Sequence, residues 1–248
     1  MDWLTTNTEE LIGRLPLFVD GIKVTLLLTV LGSAGAFLLS IVLGLAGSAK
    51  NAIVRVSSRV VVEFFRGTSL LVQLFWLFFV LPLFGWQLDA LACGVLALAL
   101  NYGAYGAEVV RGSIASVPKG QHEAISALSL SPVRGMYRII FPQAWALMIP
   151  SLTNLLIQLL KGTAIVSFIT LQDLYFQIEQ LRRITGTWYA FLIGLGVYYV
   201  IAYALTLGMN ALEIRAKHRL GVGPSLRDSA RSLLRPVDVV PTEGKVTA

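Results

Sequence analysis

Five stretches of this chain contain no Asp, Glu, Lys or Arg: residues 24–49, 67–88, 90–107, 139–160 and 184–212. They run 26, 22, 18, 22 and 29 residues, and about 20 apolar residues suffice for a helix to cross the ~30 Å hydrocarbon core of a bilayer. Charged residues make up only 14% of the sequence, against roughly a quarter in soluble domains. The chain is therefore expected to be an all-α integral membrane protein with five transmembrane helices, and a soluble enzyme is excluded. The first stretch alone carries thirteen Val, Leu, Ile or Phe residues, worth about −6 kcal/mol of insertion free energy before its small residues subtract. It is too long for the apolar core of a cleaved leader, and Asp2, Glu9, Glu10 and Asp20 precede it. It is expected to stay in the mature chain.

The distribution of positive charge orients the spans. Five crossings place fifteen Lys and Arg residues on one side and five on the other. Positive residues concentrate on the cytoplasmic face, which predicts an outside N-terminus and a cytoplasmic C-terminus. Residues 1–212 then form the membrane domain, with a cytoplasmic loop at about 112–138. Residues 213–248 form a basic tail, poorly ordered from about residue 221. No aromatics interleave with the tail's charges, so nucleic acid is not expected as a partner. Cys93 is the single cysteine, and His122 and His218 lie far apart. Neither a disulfide framework nor a metal-ligand spacing results, and no metal is expected.

Within the spans, Gly32, Ala36, Ser40, Gly44 and Ser48 repeat every fourth residue. They make one small-residue face, suited to a subunit contact or to packing within the chain. Three polar rows stand out, because polar groups facing lipid cost free energy. They are Arg66, Ser69, Gln73 and Trp76; Asn101, Tyr105 and Glu108; and Asn154, Gln158 and Lys161. Arg66, Gln73, Asn101, Tyr105, Asn154, Gln158 and Lys161 are candidates to line a path for a polar solute. Interhelical hydrogen bonding is the alternative role, and Lys161 and Arg66 also have the reach to snorkel toward headgroups. No catalytic residues are assigned: the one Gly-Lys pair, Gly244-Lys245, lacks the upstream glycine of a P-loop, and no nucleophile elbow or paired-carboxylate motif occurs. If ATP drives transport, another chain must hydrolyse it. Three readings stay open: an ATP-driven permease, an ATP-independent channel or ion-coupled carrier, and a membrane scaffold.

The loop between the third and fourth spans is the most informative segment. It opens at Pro118 and closes at Ser131-Pro132, leaving residues 120–130 as a candidate short helix that starts at Gly120. Ala124, Ala127 and Leu128, with Ile125 beside them, form an apolar stripe, and His122 and Glu123 lie near its start. So short a helix is not stable alone in water and needs a surface to dock on.

This loop resembles the EAA signature of permease subunits of binding-protein-dependent ABC importers. That pattern runs Glu-Ala-Ala, three residues, Gly, nine residues, Ile, one residue, Leu-Pro. Here Glu123, Ala124, Ile125, Ser129, Ile139, Phe141 and Pro142 occupy those places. Ile125 departs from the second Ala, Ser129 from Gly and Phe141 from Leu. The blocks LPLFVDGIKVTLLLT (15–29), EFFRGTSLLVQL (63–74), AEVVRGSIASVPKGQHEA (107–124) and LLKGTAIVS (159–167) are similar to the polar amino acid uptake permeases, the group of the histidine and glutamine systems.

The resemblance implies a type I importer permease fold. It also implies two permease subunits, identical or paired with a relative, two cytoplasmic ATPase subunits that hold ATP and Mg²⁺, and an extracytoplasmic solute-binding protein. Residues 124–128 would sit in an ATPase groove with Glu123 at its rim, and Pro142 would begin the fourth span. The chain itself would hold no cofactor. The solute would be a polar amino acid or an amino-acid-like compatible solute such as ectoine.

Overall fold

The long apolar runs fold as long helices in the computed structural model, which describes residues 2–219. The tail from residue 220 onward lies outside the described residues. The order is α1 (Asp2–Gly47), α2 (Ala52–Gly67), α3 (Leu70–Phe75), α4 (Ala90–Ala115), α5 (Lys119–Ala127), α6 (Pro132–Gly135), α7 (Phe141–Gly162), α8 (Leu174–Thr185) and α9 (Thr187–Arg219). No strand occurs among the described residues. Four helical stretches are long and apolar enough to cross a membrane, and a fifth crossing is made if the bent pair of α2 with 70–84 counts as one span.

That pair is the main departure from five uninterrupted helices. α2 and the helix at Leu70–Phe84 meet at 99°. Gly67 ends α2, Thr68 is extended at φ −104°, ψ 149°, and Ser69 stands at the N-terminus of α3. Glycine is a poor helix former, and Ser and Thr readily leave helical geometry at such junctions. The turn sits beside Asn101, near the middle of α4. α3 then continues through a π turn at Trp76–Val80 and a 3₁₀ turn at Leu81–Phe84, and Gly85 stops it with φ 88°.

α1 is 46 residues long, roughly 70 Å at 1.5 Å per residue. It begins well before the uncharged stretch, because a helix tolerates Asp20 and Lys23 where they pair at 2.8 Å in the open. Its early turns rest on α8 and α9. Trp3 lies edge-on to Tyr189 at 6.0 Å, and Gly21 sits against Gln177 and the Asp173 backbone. The small-residue row packs within the chain, against α4. The Ser40 hydroxyl reaches the Gly103 carbonyl at 3.2 Å. A Cβ on Gly44 would stand 2.6 Å from Val110 Cβ, and one on Gly106 would overlap the Ser40 hydroxyl. Such approach of two backbones is what small residues permit in membrane bundles.

Four apolar clusters hold the bundle, one of them formed by Val62, Ala104 and Ala107 between α2 and α4. Leu28, Leu74, Leu98, Leu159 and Ile169 join α1, α3, α4 and α7; Val110, Ile114, Ile125, Ile140 and Met148 join α4, α5 and α7; Phe18, Leu174, Ile178, Leu181 and Ala190 seat α8. α5 and α8 mark opposite ends of the bundle. α7 is preceded by α6 and by a π turn at Met136–Ile140 without interruption, so the helical rod starts at Pro132 rather than at Pro142. The π turn bonds the Phe141 N–H to the Met136 carbonyl. It is the kind of local rewinding that accommodates a proline in mid-rod. At the other end of the chain α9 runs to Arg219, so residues 213–219, assigned to the tail from sequence, are helical.

Candidate coupling helix and polar path

α5 is seated on the bundle through Ile125. Ile125 is buried against Gly135, where an added Cβ would come within 2.5 Å of Ile125 Cγ2. The rest of the expected stripe points away from the bundle: Gly120, Glu123, Ala124, Ala127 and Ser129 are exposed, and Leu128 is 67% exposed. His122 lies within the helix.

The end of α5 is a Schellman turn. The Leu130 N–H donates to the Ile125 carbonyl at 3.1 Å and the Ser129 N–H to the Ser126 carbonyl at 3.1 Å, while Leu130 packs into the cluster that holds Ile125. The turn needs a left-handed residue between helix and loop, and Ser129 fills it at φ 51°. Glycine takes that conformation without a Cβ penalty, which gives a physical reason for the glycine of the EAA pattern at this place. Pro142 lies in the first turn of α7 and Phe141 beside it is partly buried.

Gln73, Asn101 and Tyr105 of the first two polar rows are spent on the break between α2 and α3. Gln73, 8% exposed, donates from Nε2 to the Phe65 carbonyl at 2.9 Å and to Thr68 Oγ1 at 2.7 Å. Asn101, 6% exposed, donates from Nδ2 to the same Phe65 carbonyl at 3.2 Å. The Tyr105 hydroxyl donates to the Arg66 carbonyl at 3.2 Å, and the Thr68 hydroxyl to the Phe64 carbonyl at 2.9 Å. Carbonyls at a helix end have lost their intrahelical donors and need others, above all in hydrocarbon. Arg66 is on α2 and Gln73 on α3, so their row is not a single helix face. The Arg66 side chain pairs with Glu63 at 2.8 Å and lies over the Tyr105 ring at 5.6 Å.

The third row behaves differently. Asn154, Gln158 and Lys161 are all exposed along one face of α7. Ser151, one turn earlier, extends the row into a cleft of about 380 Å³ between α4 and α7, where Glu108, Ser113 and Ser116 also lie. Glu108 is held by Arg111 through bonds of 3.1 Å from Nε. A polar strip thus climbs from the α5 end along α4 and α7, over some 15 Å between Ser151 and Lys161. Sequence reading missed Ser113, Ser116 and Ser151, although Ser151 stands three residues before Asn154 and so on its face. It also missed Gly135, whose role is invisible until Ile125 is seen to rest on it.

The family described as binding-protein-dependent transport system inner membrane component matches residues 17–218. The chain belongs to this family. Its members' membrane location accords with the apolar helices above, and the chain is a multi-pass cell-membrane protein. Among relatives of this inner membrane component, a probable amino-acid ABC transporter permease protein of Sinorhizobium fredii is 43% identical over 220 residues, covering 86% of this chain and 89% of the relative. The L-cystine transport system permease protein TcyB of Bacillus subtilis is 35% identical over 202 residues, covering 81% and 86%. Among solved structures, one titled as an amino acid ABC transporter with histidines superposes with a TM-score of 0.76 at 32% identity, covering 83% of this chain and 97% of that one. The fold is that of a type I ABC importer permease.

Proposed function

We propose that this chain is the permease subunit of an ABC importer for a polar amino acid, with its α5 end in the cytoplasm. Two such subunits, copies or close relatives, face each other across the strip of Ser151, Asn154, Gln158 and Lys161. α5 docks on an ATPase subunit, one for each permease, and those ATPases bind ATP and Mg²⁺. A solute-binding protein delivers the solute at the α8 end. The observation that carries this reading is the division of labour on α5. Ile125 anchors it to the bundle, and Ala124, Ala127 and Leu128 are left facing outward on the surface where the EAA signature falls.

The strip supports solute passage for a related reason. Polar side chains on an exposed face of a membrane helix need water or a partner, since lipid offers neither donors nor acceptors. Lys161 supplies a cation for a carboxylate, and Asn154 and Gln158 supply amide donors and acceptors. The test is uptake of radiolabelled amino acids into vesicles holding the co-expressed permease, ATPase and binding protein. ATP-dependent uptake that Asn154→Leu with Gln158→Leu reduces at least tenfold (about 1.4 kcal/mol), with ATPase co-purification unchanged, supports the reading. Uptake that follows an ion gradient without ATP would overturn it.

A further inference from the structure

On the face of α7 away from the polar strip runs an apolar groove between α1, α7 and α9. One part, about 450 Å³, is lined by Ser33, Ala34, Phe37, Trp145, Leu155 and Met209 among others. A second part of about 780 Å³ continues it toward the α5 end, sharing Phe37, Trp145 and Leu212 and finishing at Arg215. At 100° per residue the groove side of α7 lies roughly 150° around from the face of Asn154 and Gln158. A subunit meeting the polar strip therefore leaves the groove open to the bilayer. Its rim is continuous with exposed apolar side chains, Val30, Leu38 and Val42 on α1 and Leu212 on α9.

The lining tells what fits. The Ser33 and Ser40 hydroxyls are spent on the Val30 and Ala36 carbonyls, and the Tyr102 hydroxyl on the Gln158 carbonyl, so apart from the Trp145 indole N–H the lining offers a polar solute little but apolar surface. From Trp145 to Leu159 the groove extends about 20 Å along α7, enough for an acyl chain in a leaflet about 15 Å deep. At its α5 end Arg215 is exposed and makes no ion pair with any described residue, whereas its neighbour Lys217 is paired with Glu213 at 2.6 Å.

We infer that the groove is a binding site for an anionic phospholipid, with one acyl chain between α1, α7 and α9 and the headgroup phosphate on Arg215. The inference rests on the subunit arrangement proposed above, which leaves the groove facing lipid, and not on the solute or the orientation.

The experiment is to purify the assembled transporter in mild detergent from membranes of known lipid composition and quantify retained phospholipid by headgroup. Retention of a phospholipid per chain, enriched in anionic headgroups over the bulk membrane, is expected. Arg215→Gln should lower that enrichment about fivefold while lipid remains, matching the ~1 kcal/mol an arginine contributes beside anionic lipid. Ala34→Phe should fill the groove and abolish retention, and Ser33→Leu serves in its place if that variant does not assemble. Bulk headgroup ratios in the unmutated protein, or undiminished retention in a folded groove-filling variant, would overturn the assignment.

Discussion

Gln73 and Asn101, from two different helices, donate to one acceptor, the carbonyl oxygen of Phe65. Gln73 also holds Thr68, so it closes the turn locally while Asn101 ties the turn to α4. Because the acceptor is shared, either donor alone keeps the carbonyl satisfied. Asn101→Leu should cost about 1 kcal/mol, and adding Gln73→Leu should cost more than the sum of the single changes, by ~1 kcal/mol or more, once the carbonyl is left with only the 3.5 Å contact from the Thr68 hydroxyl. A double-mutant cycle of unfolding in detergent measures that excess, and strict additivity would remove the shared-acceptor account.

Ser129 carries a left-handed conformation at φ 51°. Ser129→Gly should stabilise the chain by roughly 1 kcal/mol, since the Cβ penalty is relieved and the Schellman bonds use only backbone. A rise in unfolding midpoint checks it, and Ser129→Val should move the midpoint the other way.

α1 and α4 approach closely at Gly44, where a Cβ would meet Val110 Cβ at 2.6 Å and the Ala107 carbonyl oxygen at 2.8 Å. Gly44→Val should destabilise by about 1–3 kcal/mol, as overpacking in a rigid contact does. Gly13→Val, where nothing lies within 4 Å of the added carbon, should leave the unfolding midpoint near that of the parent.

Asp173 caps α8 through the Phe176 N–H at 2.9 Å and is fully buried, its Oδ2 without a partner. Burial pushes its carboxyl up from 3.8 to about 6, against the opposing pull of backbone N–H bonds from Phe176 and Tyr175. The folded chain then keeps a proton that the unfolded chain has released. Stability from this group is fully present below about pH 4 and is lost as pH rises to about 6, by an amount on the order of 3 kcal/mol. Asp173→Asn keeps the cap acceptor without the charge, and its stability should be flatter across that interval in a pH series of thermal melts.

Leu128 at the C-cap of α5 and Ile125 within the helix have opposite fates, one 67% exposed and the other 9%. Leu128→Asp should leave the fold intact and weaken ATPase co-purification by about 2 kcal/mol, the scale of an apolar anchor in an interface. Ile125→Ala should instead lower the unfolding midpoint, at a cost of roughly 2–4 kcal/mol for the emptied core position. Intact ATPase binding in Leu128→Asp would count against α5 as the docking element.

Much of this was legible in the residues. The uncharged runs marked the spans because hydrocarbon tolerates little charge, and α4 begins at Ala90 where its run does. The spacing from Glu123 to Pro142 marked the loop. The break after Arg66 escaped notice because Gly67, Thr68 and Ser69 are uncharged and vanish into an apolar tally, although a glycine followed by two capping-type residues is a helix stop. The polar rows failed where they assumed one continuous helix. Asn101 and Gln73 look alike in sequence to Asn154 and Gln158, yet one pair is consumed by a helix end and the other faces outward. Period alone could not separate Ile125 from Leu128, since on so short a helix either side could be the inner one. The bond from the Leu174 N–H to Thr25 Oγ1 at 3.0 Å joins residues 149 apart, a distance over which no local pattern speaks.

Gly135 offers Ile125 main chain in place of a side chain. A rotamer at that seat would act as a spring, taking up motion by turning about its own bonds. Without one, side chain meets backbone at the point where α5 rests on the rod of α6 and α7. The departures from regular helix on either side of that seat are the left-handed turn at Ser129 and the rewound segment at Met136–Ile140.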